Sequence, residues 1–199
     1  MRITDDRYTR DRQRLDLAVR MIRHEARTGT IRHWTGLSDD RIRKLYRTYL
    51  QHTAGRPCRH RGKAPRQVSY FLRNRETRRQ TALLGGLFGL IGLLGFDRAE
   101  PRVADGGNAM HWGDRFCRVY ETYLALERAR LISFEHACYL LQVLERRAEL
   151  ALDECPSCHS LMVIDTLRVR DRRCAFCEAD APWKSATGLA SGPEPTRRH

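Results

Sequence analysis

Four cysteines near the C-terminal end constrain the fold of this chain more than any other feature. They form two pairs, Cys155-Pro-Ser-Cys158 and Cys174-Ala-Phe-Cys177. Each C-x-x-C pair places two sulfurs on one side of a tight turn, and two such knuckles supply the four tetrahedral corners that Zn²⁺ prefers. The spacing therefore predicts one structural Zn²⁺ held by four thiolates, with no open position for water or substrate.

The residues around the cysteines leave some alternatives open. Redox use of one pair would need a thioredoxin-like βαβ context, which the flanking sequence does not have. His159 could replace one cysteine as a ligand. The apolar run 161–164 predicts a short ribbon strand between the knuckles. Arginines in the same loop would offset the negative charge of the site, or would also contact a DNA backbone: Arg168, Arg170, Arg172 and Arg173.

The charge balance favours a polyanionic partner. The 199 residues include 37 Lys plus Arg against 24 Asp plus Glu, a formal net charge of +13. Most of this excess is arginine, which suits bidentate contacts to phosphate and guanine. A basic protein without such a partner is the plainer alternative. Hydrophobic residues make up 41% of the chain, which excludes a wholly disordered protein.

Apolar periodicity and capping residues predict a mainly α fold: a helical domain over residues 1–152, a small zinc-ribbon-like module over 153–180, and a disordered tail over 181–199. The last helix is expected to lead directly into Cys155. The predicted helices span residues 11–26, 30–35, 38–50, 74–96, 114–129 and 133–152. The expected core positions on three of these helices are Leu15, Ala18, Val19, Ile22, Ala26, Phe116, Val119, Tyr120, Tyr123, Leu126, Ala137, Leu140, Leu141 and Leu144.

Neither a membrane segment nor a secretory leader is indicated. The apolar run 82–96 is shorter than the ~20 residues that span a bilayer, and its glycines Gly85, Gly89 and Gly92 predict a face that another helix approaches closely. The charged N-terminus has no apolar signal region, and a reducing cytoplasm is expected. Cys117 and Cys138 lie in apolar helical segments and are expected to be buried thiols.

Residues 27–50 are typical of a helix-turn-helix unit, with a turn at Gly36 and a recognition helix capped by Ser38. Ile42, Leu45, Tyr46 and Tyr49 would pack inward, leaving a basic face for the major groove. An ordinary helical hairpin with a solvated basic face is the alternative. Asp39 and Asp40 would cap the helix or accept a hydrogen bond from cytosine. The predicted DNA-binding residues are Arg32, Arg41, Arg43, Lys44 and Arg47, with Arg59, Arg61 and Lys63 on a basic loop that tracks phosphates or is simply solvated.

Catalytic motifs are not found. The sequence has no nucleophile elbow, H-E-x-x-H, P-loop or Rossmann glycine pattern, so we expect a protein that is not an enzyme. A metalloenzyme would need an open position on the metal, which four thiolates do not leave. A zinc-ribbon protein that binds RNA or associates with the ribosome is the remaining alternative.

The order of these segments resembles the FlhC family of flagellar transcriptional activators. The resemblance rests on Leu37-Ser-Asp-Asp-Arg-Ile-Arg-Lys-Leu-Tyr46, Tyr70-Phe71 after the proline loop, Val119-Tyr-Glu-Thr-Tyr-Leu124 and the two C-x-x-C knuckles. It implies that these four cysteines bind zinc. It also implies a hetero-oligomer with the helical protein FlhD, binding to flagellar promoters and contact with RNA polymerase.

Overall fold

The computed structural model describes residues 2–49, 60, 62–95, 109–167 and 174–180. This part of the chain is mainly helical, and the four cysteines cluster at its C-terminal end, as the sequence predicts. Its elements are α1 (Arg2–Arg23), α2 (Thr28–Thr35), α3 (Asp39–Tyr49), α4 (Ser69–Leu72), α5 (Arg75–Leu90), α6 (Ala109–Leu126), α7 (Phe134–Arg146), β1 (Leu150–Glu154), β2 (Leu161–Asp165) and α8 (Cys177–Asp180).

Helices α1 and α2 both begin earlier than the sequence indicates. Helix α1 starts at Arg2 rather than at residue 11 and ends before Glu25, which has a left-handed φ of 62°. Thr28 and Gly29, which lie between the predicted helices 11–26 and 30–35, form the first turn of α2. The carboxylate of Glu135 on α7 accepts hydrogen bonds from the Arg27 N–H (2.7 Å) and the Thr30 hydroxyl (3.0 Å). This distant side chain caps α2, which its own N-cap residue does not do.

The turn between α2 and α3 forms where the sequence places it. Gly36 adopts a left-handed φ of 68° and its N–H donates to the Arg32 carbonyl, which ends α2. The Ser38 hydroxyl accepts a hydrogen bond from the Arg41 N–H at 3.4 Å and caps α3. Ile42 and Leu45 are buried as expected. The two helices and the turn are therefore confirmed.

Helix α5 starts as predicted but ends early. The Asn74 side chain accepts a hydrogen bond from the Thr77 N–H at 2.8 Å and caps the helix. The helix ends at Leu90 rather than at residue 96, because the chain turns back through Gly92 at a φ of 73°. The N–H groups of Leu93 and Leu94 then donate to the Phe88 carbonyl, which closes the end of the helix.

Helix α6 begins at Ala109, five residues before its predicted start. Gly113 lies inside it, where a Cβ would be 3.1 Å from side-chain atoms of Leu17, Met21 and Trp34. The glycine therefore permits close packing rather than marking a loop. Leu126, expected in the core, is the last residue of the helix and is 59% exposed.

Helix α7 begins after the predicted cap Ser133, whose hydroxyl accepts a hydrogen bond from the His136 N–H. It ends at Arg146, since Arg147 adopts a left-handed φ of 52°. The expected helix to residue 152 is wrong, because Leu150–Glu154 form strand β1. A strand, not a helix, leads into Cys155.

One hydrophobic cluster joins helices α1 to α7 with the β-hairpin. Strands β1 and β2 pair antiparallel, with Leu152 opposite Val163. Leu150 and Val163 belong to the main core. The hairpin packs on α5, where a Cβ on Gly85 would lie 2.5 Å from Leu152. The expected close approach at this glycine is therefore made by a strand side chain.

The other core positions predicted on the helices at 11–26, 114–129 and 133–152 are buried or half-buried. They are Leu15, Ala18, Val19, Ile22, Ala26, Phe116, Val119, Tyr120, Tyr123, Ala137, Leu140, Leu141 and Leu144. Cys117 and Cys138 are buried thiols, as expected. Helices in the described ranges are too short or too polar to cross a bilayer. Several predictions fall outside these ranges: Arg59, Arg61, the four arginines between the knuckles, and the tail over 181–199.

Candidate metal centre

The first knuckle is the turn between the two strands. Strand β1 ends at Glu154 and β2 begins at Leu161. The Cys155 N–H donates to the Ser160 carbonyl and the His159 N–H to the Cys155 carbonyl, each at 2.9 Å. His159 takes a left-handed φ of 59°, which lets the chain reverse so sharply. Both cysteines of the pair are thereby held on the tip of a hydrogen-bonded hairpin.

The second knuckle is held by α5. Cys177 opens the short helix α8, and its N–H points at the Cys174 sulfur at 3.4 Å. The Arg75 guanidinium donates to the Ala175 carbonyl at 2.8 Å. Arg78 forms an ion pair with Glu178. Two arginines one turn apart on α5 therefore fix the second knuckle against the helical body.

The four cysteine sulfurs form one compact cluster. The ligand atoms of Cys155, Cys158, Cys174 and Cys177 all lie within 4.8 Å of one another. The Cys155–Cys177 and Cys158–Cys174 sulfur distances are 3.7 and 3.3 Å. Four thiolates bound tetrahedrally at about 2.3 Å from one ion would be about 3.8 Å apart, whereas a disulfide needs about 2.05 Å. The predicted cluster is confirmed as a set of four free cysteines that could hold one metal ion.

The two knuckles differ in acidity. Hydrogen bonds from the backbone at Cys158 and Ser157 lower the pKa of Cys155 to about 6. The hydroxyl of Ser160 lowers the pKa of Cys158. Burial raises the pKa of Cys174, and hydrogen bonding with the sulfurs of Cys158 and Cys174 raises that of Cys177. All four sulfurs have to lose their protons to bind one cation, whose positive charge would compensate the added negative charge.

His159 lies outside the group of potential ligands. Its ring Nδ1 is 2.5 Å from the Glu154 carboxylate, and its side chain is 77% exposed. The alternative in which this histidine replaces a cysteine therefore has no geometric support. The donor set within the described residues consists of sulfur alone.

The predicted DNA-binding residues of the described chain lie on or near α2 and α3, and all are exposed. The Arg32 guanidinium is 3.3 Å from the Asp39 carboxylate, and Arg43 is 2.9 Å from Asp40. Both aspartates are thus engaged by arginines at the start of α3. Lys44 and Arg47 make no ion pair with any described residue.

The basic loop approaches the start of α2. The Gly62 carbonyl accepts a hydrogen bond from the Arg27 guanidinium at 2.8 Å, and the next residue, Lys63, is exposed. The His60 ring lies 3.1 Å from the Glu25 carboxylate. The structure therefore brings Lys63 to the start of α2, at the other end of the helix from the turn that leads to α3.

The sequence alone did not identify the residues that hold the second knuckle and α3 in place. Arg75 and Arg78 act on a knuckle 100 residues away along the chain. Asp11 on α1 binds Arg41 on α3 through two hydrogen bonds of 2.9 and 3.3 Å. Spacing of arginines along a helix is visible in the sequence, but their distant partners are not, since nothing local signals such contacts.

No protein-family model matches this chain, and no match is found among curated proteins.

Proposed function

We propose that this protein is a DNA-binding subunit of a transcriptional activator whose four cysteines hold one structural Zn²⁺. The observation that carries the proposal is the division of α3 into two faces. Ile42 and Leu45 are buried against the body, while Arg43, Lys44 and Arg47 are exposed. A helix that is anchored on one side and basic on the other suits entry into a major groove.

The segment around α3 supports a helix-turn-helix interpretation. Helices α2 and α3 are joined by a short turn with Gly36 in the left-handed region. The turn and the Ser38 cap set where α3 begins. In such units the second helix presents its exposed side chains to base edges, and arginine can read guanine through two hydrogen bonds. Arg43 is the candidate for base contact, and Lys44 and Arg47 for base or phosphate contact.

Zinc is the metal that best suits the four sulfurs. Thiolates select soft or borderline ions, and a closed four-sulfur tetrahedral set is a common structural zinc site. Such a site leaves no position for a substrate or a reactive water. The zinc would therefore hold the two knuckles together, and the protein would act by binding rather than by catalysis.

The resemblance to the FlhC family makes the proposal more specific. It points to a cytoplasmic hetero-oligomer with FlhD that binds flagellar promoters and contacts RNA polymerase. The segments that carry the resemblance include α3 and both knuckles, which the structure shows as separate regions joined by one helical core.

The test is a binding measurement with a matched control. We expect Arg43→Ala to weaken binding of the complex with FlhD to a flagellar promoter duplex by about 1–3 kcal/mol, because a base contact is lost. Arg118 on α6 is the control, since it is also exposed and also pairs with an aspartate on its own helix, Asp114. Arg118→Ala should change binding by less than about 0.5 kcal/mol.

Fluorescence anisotropy against promoter, scrambled and duplex RNA probes would separate the outcomes. Equal affinity for promoter and scrambled DNA would contradict sequence-specific recognition. A preference for structured RNA would replace this function with RNA binding. Equal losses in both variants would show that α3 has no special role.

A further inference from the structure

The N-terminal half of α1 extends beyond the hydrophobic core. The helix has 22 residues, about 33 Å at 1.5 Å per residue. Its second half supplies the buried residues Leu17, Ala18, Met21 and Ile22. Residues 7–10 and 12–14 are exposed instead. Packing against the described part of this chain therefore does not explain the composition of the first half of the helix.

Asp11 links this overhang to α3. Its two carboxylate oxygens accept hydrogen bonds from the Arg41 guanidinium at 2.9 and 3.3 Å. The pair is about half exposed. Arg41 precedes Lys44 by three residues on α3, so both side chains lie on one side of that helix. The exposed half of α1 thus lies directly beside the basic face of α3.

Two further arginines surround the same carboxylate. Arg7 and Arg14 are four residues before and three residues after Asp11, which places all three on one face of α1. The hydrogen bond from Arg41 lowers the pKa of Asp11, and the positive charges of Arg41, Arg14 and Arg7 lower it further. Neither Arg7 nor Arg14 makes an ion pair with the side chains that the structure describes, which on α1 begin at Arg7. The carboxylate of Asp11 is therefore surrounded by three guanidinium groups, and the excess positive charge is exposed to solvent.

We propose that Arg7 and Arg14 on α1, together with Arg41, form a phosphate-binding surface that grips the DNA backbone beside the groove entered by α3. Asp11 is a positioning residue that holds Arg41 toward this surface. The inference rests on the proposed DNA-binding function and adds a contact that the recognition helix alone does not make.

The dimensions of DNA support this placement. The major groove is about 12 Å wide and admits one helix. Helices in contact have axes about 8–10 Å apart. A helix packed beside α3 would therefore meet the wall of the groove, where the phosphates lie. Arginine suits that wall because its planar guanidinium can bind two phosphate oxygens at once.

The experiment compares two variants of the full-length zinc-loaded chain in complex with FlhD. Arg7→Ala/Arg14→Ala removes both proposed contacts. Arg12→Ala is the control, because Arg12 lies on the other side of α1, is 73% exposed and approaches Asp16 at 3.9 Å. Binding to a 30-base-pair mixed-sequence DNA duplex is measured between about 50 and 200 mM salt, since phosphate contacts are independent of sequence. Thermal melting verifies that both variants fold.

Each lost phosphate contact should reduce the slope of log affinity against log salt by about 0.9. We expect a reduction of about 1.8 for the double variant and a slope near that of the wild type for Arg12→Ala. A wild-type slope in the double variant would overturn the inference. Equal reductions in both variants would also overturn it, because charge alone would then explain the effect. A wild-type protein that does not bind duplex DNA would instead overturn the proposed function itself.

Discussion

At the scale of single residues, arginine has two distinct uses in this protein. Arg20 on α1 donates to Asp114 (2.5 Å) and to both oxygens of Glu121 (2.7 and 2.6 Å) on α6. Arg79 on α5 binds Glu76 and Glu127 in the same manner. These guanidiniums join elements of the fold, whereas those of Arg43 and Arg47 on α3 are exposed and contact no other element of the described chain. Both kinds of arginine contribute equally to the net charge, and only their hydrogen-bond partners distinguish them.

The contact between Arg20 and Glu121 predicts a dependence of stability on pH. Hydrogen bonds from Arg20 lower the pKa of Glu121 from its ordinary 4.5 to about 2. A lowered pKa in the folded state adds stability that is present above pH 4.5 and is lost as the pH falls toward 2. We expect Glu121→Gln to be less stable than the wild type at pH 6, with a difference that shrinks toward pH 2.

Urea unfolding at a series of pH values would measure that difference. Asp16→Asn is the control, because the Arg12–Asp16 contact is 3.9 Å and both side chains are more than 70% exposed. Its unfolding curve should follow the wild type across the range. A difference between Glu121→Gln and the wild type that is constant from pH 6 to pH 2 would contradict the prediction.

At the scale of elements, the starts of helices with a local capping residue could be predicted, whereas the starts of α1, α2 and α6 and the ends of α5 and α7 could not. Ser38, Asn74 and Ser133 cap α3, α5 and α7 where the sequence indicates, since a cap depends on residues only three positions apart. The end of α7 and the start of β1 depend on packing. Leu150 is fully buried and Leu152 packs against Gly85. Burial of these side chains therefore determines that the segment is a strand, although its apolar spacing predicts a helix.

Gly85 tests this packing between α5 and the hairpin. A Cβ there would lie 2.5 Å from Leu152, whereas a Cβ on Gly29 in α2 would have nothing within 4 Å. Alanine favours a helix over glycine by up to about 1 kcal/mol, so we expect Gly29→Ala to be neutral or stabilising. Gly85→Ala should be less stable than Gly29→Ala by about 1–3 kcal/mol, because Leu152 must move.

Chemical unfolding of the two glycine variants provides the measurement. Equal changes in the free energy of unfolding would show that Leu152 moves at no cost. The hairpin would then contact α5 less closely than the structure shows.

At the scale of the whole molecule, the metal centre and the helical body share one scaffold. The first knuckle is the tip of a hairpin whose base, at Leu150 and Val163, lies in the main core. The second knuckle is bound to α5 through Arg75 and Arg78. The metal would close the connection between them, so its binding energy would contribute to the folding of this end of the molecule.

Metal removal should therefore have a graded effect. After complete chelation we expect fast amide exchange at residues 155–160 and 174–180, because no ion then holds the two knuckles together. Amides near Leu150 should keep much of their protection, since they are buried in the main core. Hydrogen-exchange mass spectrometry with and without a chelator measures both regions. Unchanged protection of the knuckles would contradict the prediction, and so would loss of protection throughout α5 and α7.

The sequence by itself determined the ligand set, the mainly helical character, the turn at Gly36 and the two faces of α3, because each depends on residues a few positions apart. Tertiary structure alone decided that β1 rather than a helix reaches Cys155, that Glu135 caps α2, that Arg75 and Arg78 support the second knuckle, and that Asp11 draws Arg41 toward α1. These contacts join residues that are far apart along the chain. Their energies come from burial and charge pairing that exist only once the helices have packed.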